Sequence, residues 1–467
     1  MAQIDTVIAA QRFGLGARPG ELAAIGDDPR GWLMAQLRAP EVIPAAFGNM
    51  PSAADRFVGY RELVQERRLE KQNAGATAQS AMPPVKDVFA QLGQNLRQSY
   101  RADASARCQA AIDSDAPFVE RLVQFWSNHF TVSGQRPIAL GLAVPYENEA
   151  IRPHVLGRFA DLLLAVTRHP AMLLYLDNAQ SVGPMSRFGA QRAKGLNENL
   201  AREMMELHTL GVDGGYTQND VRELAKILTG WSIAGLGRPD RPLAATPGTF
   251  HFAAAAHEPG DKTLLGKTYA EAGEEEGVQA LQDLARHPAT AHHLATQLAR
   301  HFIADDPPAK AVAILERRYR DSDGDLGEVT RQLISLDAAW QPAQQKLRTP
   351  NDWVIGVFRA FNARSADRGL KALAALKQLG QLPLLAPSPA GWPDMQADWL
   401  SPEALMSRID LAQLIGRRLE ASVDPRQLSE ATIGPVLSQE SRFQITNAPS
   451  RADGLALLLV SPEFMRR

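Results

Sequence analysis

Between Phe118 and Phe130 the apolar residues Phe118, Val119, Leu122, Val123, Phe125, Trp126 and Phe130 recur three and four positions apart. That spacing lines side chains along one broad face of an α-helix, and a face so wide must be buried. The segment is expected to be a core helix. The next apolar stretch, Phe159 to Leu176, is interrupted by Pro170, which is best placed in the first turn of a second helix starting after Arg168 and His169. Alternating apolar and polar runs are hard to find, and the β-branched residues are scattered among good helix formers. The expected fold is all-α: a large multi-helix globular fold with long Pro/Gly-rich loops and little or no sheet. The loops Asn73 to Val85, Gly235 to Gly248 and Leu382 to Pro393 lack a helical period. They divide one domain, 1–467, into helical blocks at 1–110, 111–235, 236–380 and 381–467.

Composition narrows the function classes. Lys plus Arg total 50 against 52 for Asp plus Glu, so the broad positive field of a phosphate-backbone binder is missing and nucleic acid is not an expected partner. Cys108 is the single cysteine; it can form neither an internal disulfide nor a thiolate cage, and reads as a small apolar filler. The longest apolar runs, Leu162 to Val166 and Leu455 to Val460, fall far short of the roughly 20 residues that span a bilayer. No basic stretch precedes the four-residue apolar run Val7 to Ala10, unlike a secretory signal, so a cytoplasmic location is the expectation for the chain as given.

Chemistry concentrates in NENLAREMMELHTLGVDGGYTQNDVRELAKILTGW, Asn197 to Trp231. It reads as a helix, a glycine loop and a second helix, with Asn197 as N-cap, Gly211 ending the first helix in the left-handed conformation, and Thr217 with Asp220 starting the second. At 100° per residue, Leu200, Met204 and Leu207 form the buried stripe. Asn199, Glu203 and Glu206 then project on one flank, and Asn197 and His208 on the other. A zinc-protease helix needs two histidines at i and i+4, which are absent. The glycine loop lacks the oxygen ligands of a calcium loop and the Gly-Lys-Ser/Thr of a phosphate loop. No nucleotide or haem motif is present; a divalent metal is compatible, with its ligands unassigned.

A polar pocket at this hairpin is the working expectation. Glu203, Glu206, His208 and His257 are the candidate bases or ligands, because carboxylates and neutral imidazoles serve both roles near neutral pH. Asp177, Asn178, Asn197, Asn199, Arg202, Asp213, Tyr216 and Lys262 are the candidate substrate-binding groups. The plainer alternative is a helical hairpin whose acids pair with Arg202 and Arg222. The loop carrying His251, His257, Glu258, Asp261 and Lys262 has solvation as its plainer reading, and His129 reads as a hydrogen-bonded core histidine. His287, His292, His293 and His301 read mainly as packing and solvent-edge residues. The echo between Arg168-His169-Pro170-Ala171 and Arg286-His287-Pro288-Ala289 reads as a proline recurring in first helical turns.

The hairpin motif closely resembles the signature of the domain of unknown function 1800 family. Similarity extends to RFGLGA at Arg12 to Ala17, WSNHF at Trp126 to Phe130, HPAMLLYLDN at His169 to Asn178 and HEPGDKTLLG at His257 to Gly266. It continues through LGQLPLLAPSPAGWP at Leu379 to Pro393, WLSPEALMSR at Trp399 to Arg408 and SPEFMRR at Ser461 to Arg467. Two departures stand out: His257-Glu258 where the family pattern has His-Asp, and Gly391-Trp392-Pro393-Asp394-Met395 where it has Gly-Trp-Pro-Gly-Gly. The second suggests a remodelled surface loop. The resemblance implies a helical protein encoded beside members of the domain of unknown function 1501 family, which look like exported alkaline-phosphatase-superfamily proteins. Such a neighbour is the implied partner, and periplasmic association is compatible with relatives that carry export signals. Two function classes follow: a binding or maturation protein using the polar hairpin for recognition, or a metal-assisted or acid/base hydrolase using the same pocket.

Overall fold

The computed structural model describes residues 2–38, 43–62, 65, 85–134, 137–192, 195–236, 245–342, 346–362 and 365–467. Of the expected loops, 73–84 and the centre of the second, 237–244, lie outside the described residues; Leu382 to Pro393 is an irregular, turn-rich segment. The chain is 64% helical and 4% strand, which makes the fold mostly α. The Phe118 periodicity corresponds to a helix, Pro117–His129, on which Phe118, Leu122 and Val123 are fully buried. Each such burial contributes roughly 1.5–3 kcal/mol.

Pro170 opens the helix Pro170–Tyr175, where its missing amide proton costs nothing. His169 does more than precede it, because its Nδ1 accepts the Ala171 amide at 3.1 Å. His287 repeats the arrangement before Pro288, accepting the Ala289 amide at 3.2 Å. The four-residue echo is therefore a capping device built from an imidazole and a proline.

Among the described residues the strands form two antiparallel pairs, Trp231–Ile233 with Phe250–Phe252 and Lys262–Leu264 with Lys267–Tyr269. The second pair turns on Leu265 and Gly266, both with positive φ (50° and 77°), the geometry of a tight primed hairpin.

Buried apolar residues sort into two large cores. The first surrounds Phe13, Phe118, Phe302 and Trp340, whose rings stand 5.1–6.0 Å apart in the pairs that involve Phe13. The second surrounds Trp353, Leu376 and Leu455 and includes Cys108, a free thiol that burial pushes up to about 12. RFGLGA runs along the seam between them, with Phe13 in the first core and Leu15 in the second. Gly16 sits at φ 107°, and a Cβ there would come within 2.9 Å of the Gly356 Cα, so the close backbone approach at the seam requires glycine. Among the described residues no helix is long and apolar enough to cross a membrane.

Candidate functional site

Three five-residue segments among the described residues wind as π-helix, and one of them, Met204–His208, follows directly on the hairpin helix Asn199–Glu203. The wider turn changes the phase that a 100° wheel assumes. Met205 is buried in place of Leu207, and His208 turns inward to 1% exposure. The flank assignment of His208 is corrected accordingly, while Glu206 stays close enough to Glu203 to act on its carboxyl. Asn197 is corrected too: Glu198 holds the N-cap position, while the Asn197 side chain accepts the Asn199 amide at 2.9 Å. The second helix begins as expected, with Thr217 and Asp220 forming a reciprocal capping box, and Gly211 is left-handed at φ 84°.

Two histidines from other helices fasten the end of this π turn. His129 Nε2 bonds the His208 carbonyl and His293 Nε2 the Leu207 carbonyl, both at 3.1 Å, satisfying helix-end acceptors that would otherwise be orphaned. His293 is thus a clamp and not a solvent-edge residue. His208 lies 5.0 Å from the Phe130 ring and 6.1 Å from that of His129, and neither of its nitrogens has a protein partner. Burial drives its pKa down to about 3, with His293 adding repulsion.

The other hairpin groups divide between two places. Asp177, Asn197 and Asn199 line an open groove with Glu198. Glu198 is the hub of an ion-pair set, 3.1 Å from Arg202 and 3.3 Å from Arg222; the plainer structural reading holds for these residues. Half-buried Glu203 has its carboxyl raised by burial and then by Glu206, and Tyr216 is raised by burial and then by the same acid. Asp213 is exposed at the loop tip. Asn178 is buried and bonds the Leu228 and Trp231 carbonyls at 3.1 Å, closing the far end of the hairpin.

The histidine loop is solvated only in part, Asp261 being exposed. His257 and Glu258 are 7% exposed and Lys262 1%. His257 Nδ1 bonds the Thr229 carbonyl at 2.9 Å, its Nε2 stands 3.2 Å from Glu276, and Lys262 Nζ meets Glu276 at 3.0 Å. His257 and Lys262 are therefore held in a buried charge knot at the end of the second hairpin helix. His251 stays exposed on its strand. Among the described residues no group of three or more His, Cys, Asp or Glu side chains is arranged to hold a metal ion.

A constellation that the sequence did not reveal lies at the seam of the two cores, around a half-enclosed cavity of about 100 Å³. The Pro117–His129 helix supplies Arg121, Gln124, Phe125 and Asn128, and the last turn of Pro288–Phe302 supplies His301. Asn351 and Asp352 come from the first turn of Pro350–Ala360, Trp392 from the irregular segment, and Gln381 and Asp394 from its two flanks. Amide pairs fix the walls. Asn128 brackets Trp392, donating to its carbonyl at 2.9 Å and accepting its amide at 2.8 Å, and Asn351 Nδ2 donates to Gln124 Oε1 at 2.9 Å. Gly391 is left-handed, and a Cβ there would lie 2.5 Å from the Asn128 carbonyl. The expected remodelled surface loop is thus a cavity wall.

In that wall His301 Nδ1 meets Asp394 Oδ2 at 2.9 Å, while His301 Nε2 and Gln124 Nε2 are buried without a protein partner. Burial drives His301 down to about 4, only partly opposed by Asp394. Burial works against the Asp394 carboxylate as well, yet His301 and Lys346 hold it below the usual range. Asp352 faces Arg121 at 3.2 Å and Arg467 at 3.0 Å. These two cations hold its carboxyl well below its ordinary value against the opposing effect of burial. Reasoning along single helix faces missed His301 because its carboxylate lies 93 positions away. The one local signal was an acid standing where the family pattern has glycine after Gly-Trp-Pro.

The family model described as Protein of unknown function (DUF1800) matches residues 8–466, and the chain belongs to that family. No curated protein and no solved structure matches it.

The buried imidazoles make stability pH-dependent. His129, His208, His293 and His301 all have lowered pKa values, burial being the largest cause in each. Below about pH 6.5 the unfolded chain takes up protons that the folded chain refuses, so stability is intact above that pH and falls as pH drops toward 4. For fully buried His208 the slope is about 1.4 kcal/mol per pH unit. Urea unfolding between pH 7 and 5 should show a shallower acid limb in His208→Phe than in the parent; parallel limbs would contradict the buried neutral state.

Proposed function

We propose that this DUF1800 protein binds a small polar molecule in the cavity between its two cores, with His301 as proton acceptor and Asp394 as the group that orients it. The observation that carries the reading is the His301–Asp394 contact in the cavity wall, with Nε2 left unpartnered. An ionised carboxylate only accepts, so the imidazole proton belongs on Nδ1 and Nε2 presents its lone pair. A neutral imidazole oriented by an acid is the general-base half of acid/base chemistry. The amide-lined walls and Trp392 supply the convergent polar groups and the ring face expected of a small-molecule pocket. The hydrolase class thereby moves away from Glu203, Glu206, His208 and His257, since His208 is buried at the end of the π turn and His257 is tied to Thr229 and Glu276. Long-range ¹H–¹⁵N spectra of the histidine-labelled protein should show His301 as the neutral Nδ1–H tautomer from pH 8 to pH 5. An Nε2–H tautomer, or an imidazolium at pH 6, would remove the base from this reading.

A second reading keeps the Asn197–Trp231 hairpin as a recognition surface for a protein partner, the role the family resemblance gives to a domain of unknown function 1501 type neighbour. What favours it is Val212, an apolar side chain 70% exposed at the loop tip beside Asp213, together with the open groove of Asp177, Asn197 and Asn199 at the start of the same helix. Glu203 is half-buried and repelled by Glu206, so a recognition role leaves it dispensable for folding. Glu203→Gln should keep unfolding within about 0.5 kcal/mol of the parent. A loss of about 3–5 kcal/mol would show that a buried cation depends on this carboxylate and would end the recognition role assigned to it.

A further inference from the structure

Behind the cavity, four guanidiniums converge on one carboxylate. Arg121 and Arg467 are 2% exposed and touch Asp352 directly; Arg348 and Arg408, each 1% exposed, feel the same acid. Asp352 cannot satisfy them all. Arg348 Nη1 and Nη2, Arg408 Nη2 and Arg467 Nη2 are buried without an acceptor, and Arg467 Nε, although 3.0 Å from Asp352, is not aligned for a hydrogen bond. The Phe464 ring, 4.9 Å from the Arg348 guanidinium, offers a partial counterweight. The other acid in the cavity wall, Asp394, is committed to His301 and Lys346. Mutual repulsion is visible in this layer, since Arg467 lowers both Arg121 and Arg348, behind burial as the larger cause. A buried layer with this surplus of cations creates a positive field at the cavity wall, where Arg121 is the member that lines the cavity.

We infer that the cavity takes a small oxyanion carrying a hydroxyl, of the class of hydrogen phosphate or a short hydroxycarboxylate, whose negative charge completes the cation layer through Arg121. This rests on the reading of the cavity as the ligand site and adds the charge and size of the ligand. Two unpartnered buried atoms on residues that line the cavity fit the same chemistry. Gln124 Nε2 is a donor for an anionic oxygen, and His301 Nε2 is an acceptor for the ligand's O–H. A volume of about 100 Å³ suits a molecule of that size. The bound charge would also raise the basicity of His301, which Arg467 and Arg121 now depress beyond the effect of burial. A ligand of this class would thereby prepare its own proton acceptor.

The test is thermal unfolding of the full chain at constant ionic strength, titrated with inorganic phosphate or with glycolate against a matched chloride series. At least one probe should raise Tm by about 2 °C or more at 10 mM, the signature of binding to the folded state. Gln124→Glu places a carboxylate in the wall with little change of shape; it should raise Tm without added anion and abolish the response. Asn351→Asp repeats the test from the neighbouring side chain if that variant does not fold. No shift with either probe, or an equal shift in the variant, overturns the inference. A phosphate or glycolate shift that persists in His301→Gln supports the anion site while removing His301 from it. An Nδ1–H tautomer at His301 with no anion response leaves the base in place and rejects the ligand class.

Discussion

Asp352 stands between the two hydrophobic cores with cations from both sides upon it. It sits in the first turn of Pro350–Ala360, where Thr349 caps the helix by accepting the Asp352 amide at 3.2 Å. Its side chain reaches Arg121 on the Pro117–His129 helix and Arg467 at the far end of the sequence. Arg121 in turn donates from Nε to the Gly14 carbonyl at 2.6 Å, inside RFGLGA. One buried acid therefore ties together the first core, the second core and the segment between them. Arg359 reinforces the seam with bonds to the Gly16 and Ile112 carbonyls and an ion pair to Glu21 at 2.9 Å.

Apolar packing alone would join two cores with fewer costs, because buried ion pairs repay their desolvation only with good geometry. A charged seam does something that an apolar one does not: it keeps polar side chains fixed around a half-enclosed cavity. Gln124, Asn128, Asn351 and Gln381 form a lattice of amides there, and Arg467 and Arg121 of the same layer act on His301 behind burial and Asp394. The features that hold the cores together are thus the features that would recognise a ligand.

Local grammar was legible in the sequence. The apolar face of Phe118 to Phe130, the proline starts at Pro170 and Pro288, the Thr217–Asp220 box and left-handed Gly211 all depend on residues within one or two turns of each other. The π turn at Met204–His208 was not legible, since the residues that stabilise it, His129 and His293, come from other helices. The charge-rich loop at His257 looked solvated because its partners, Thr229 and Glu276, lie 28 and 19 positions away. The cavity was hidden for the same reason on a larger scale: Arg121 and Asp352 are 231 positions apart. Periodicity and capping report what a segment does with its neighbours in sequence, and a seam between two cores is made by residues that meet only after folding.

The Asp352 charge layer, and not apolar contact alone, joins the cores. Asp352→Asn changes almost no volume and removes the charge shared by Arg121 and Arg467. Denaturant unfolding of this variant beside the parent measures the consequence directly. Stranding the two buried cations should cost about 3–5 kcal/mol, with near-ultraviolet circular dichroism and tryptophan fluorescence shifting together. A loss below about 1 kcal/mol would show that the cores hold without this carboxylate and would contradict the account.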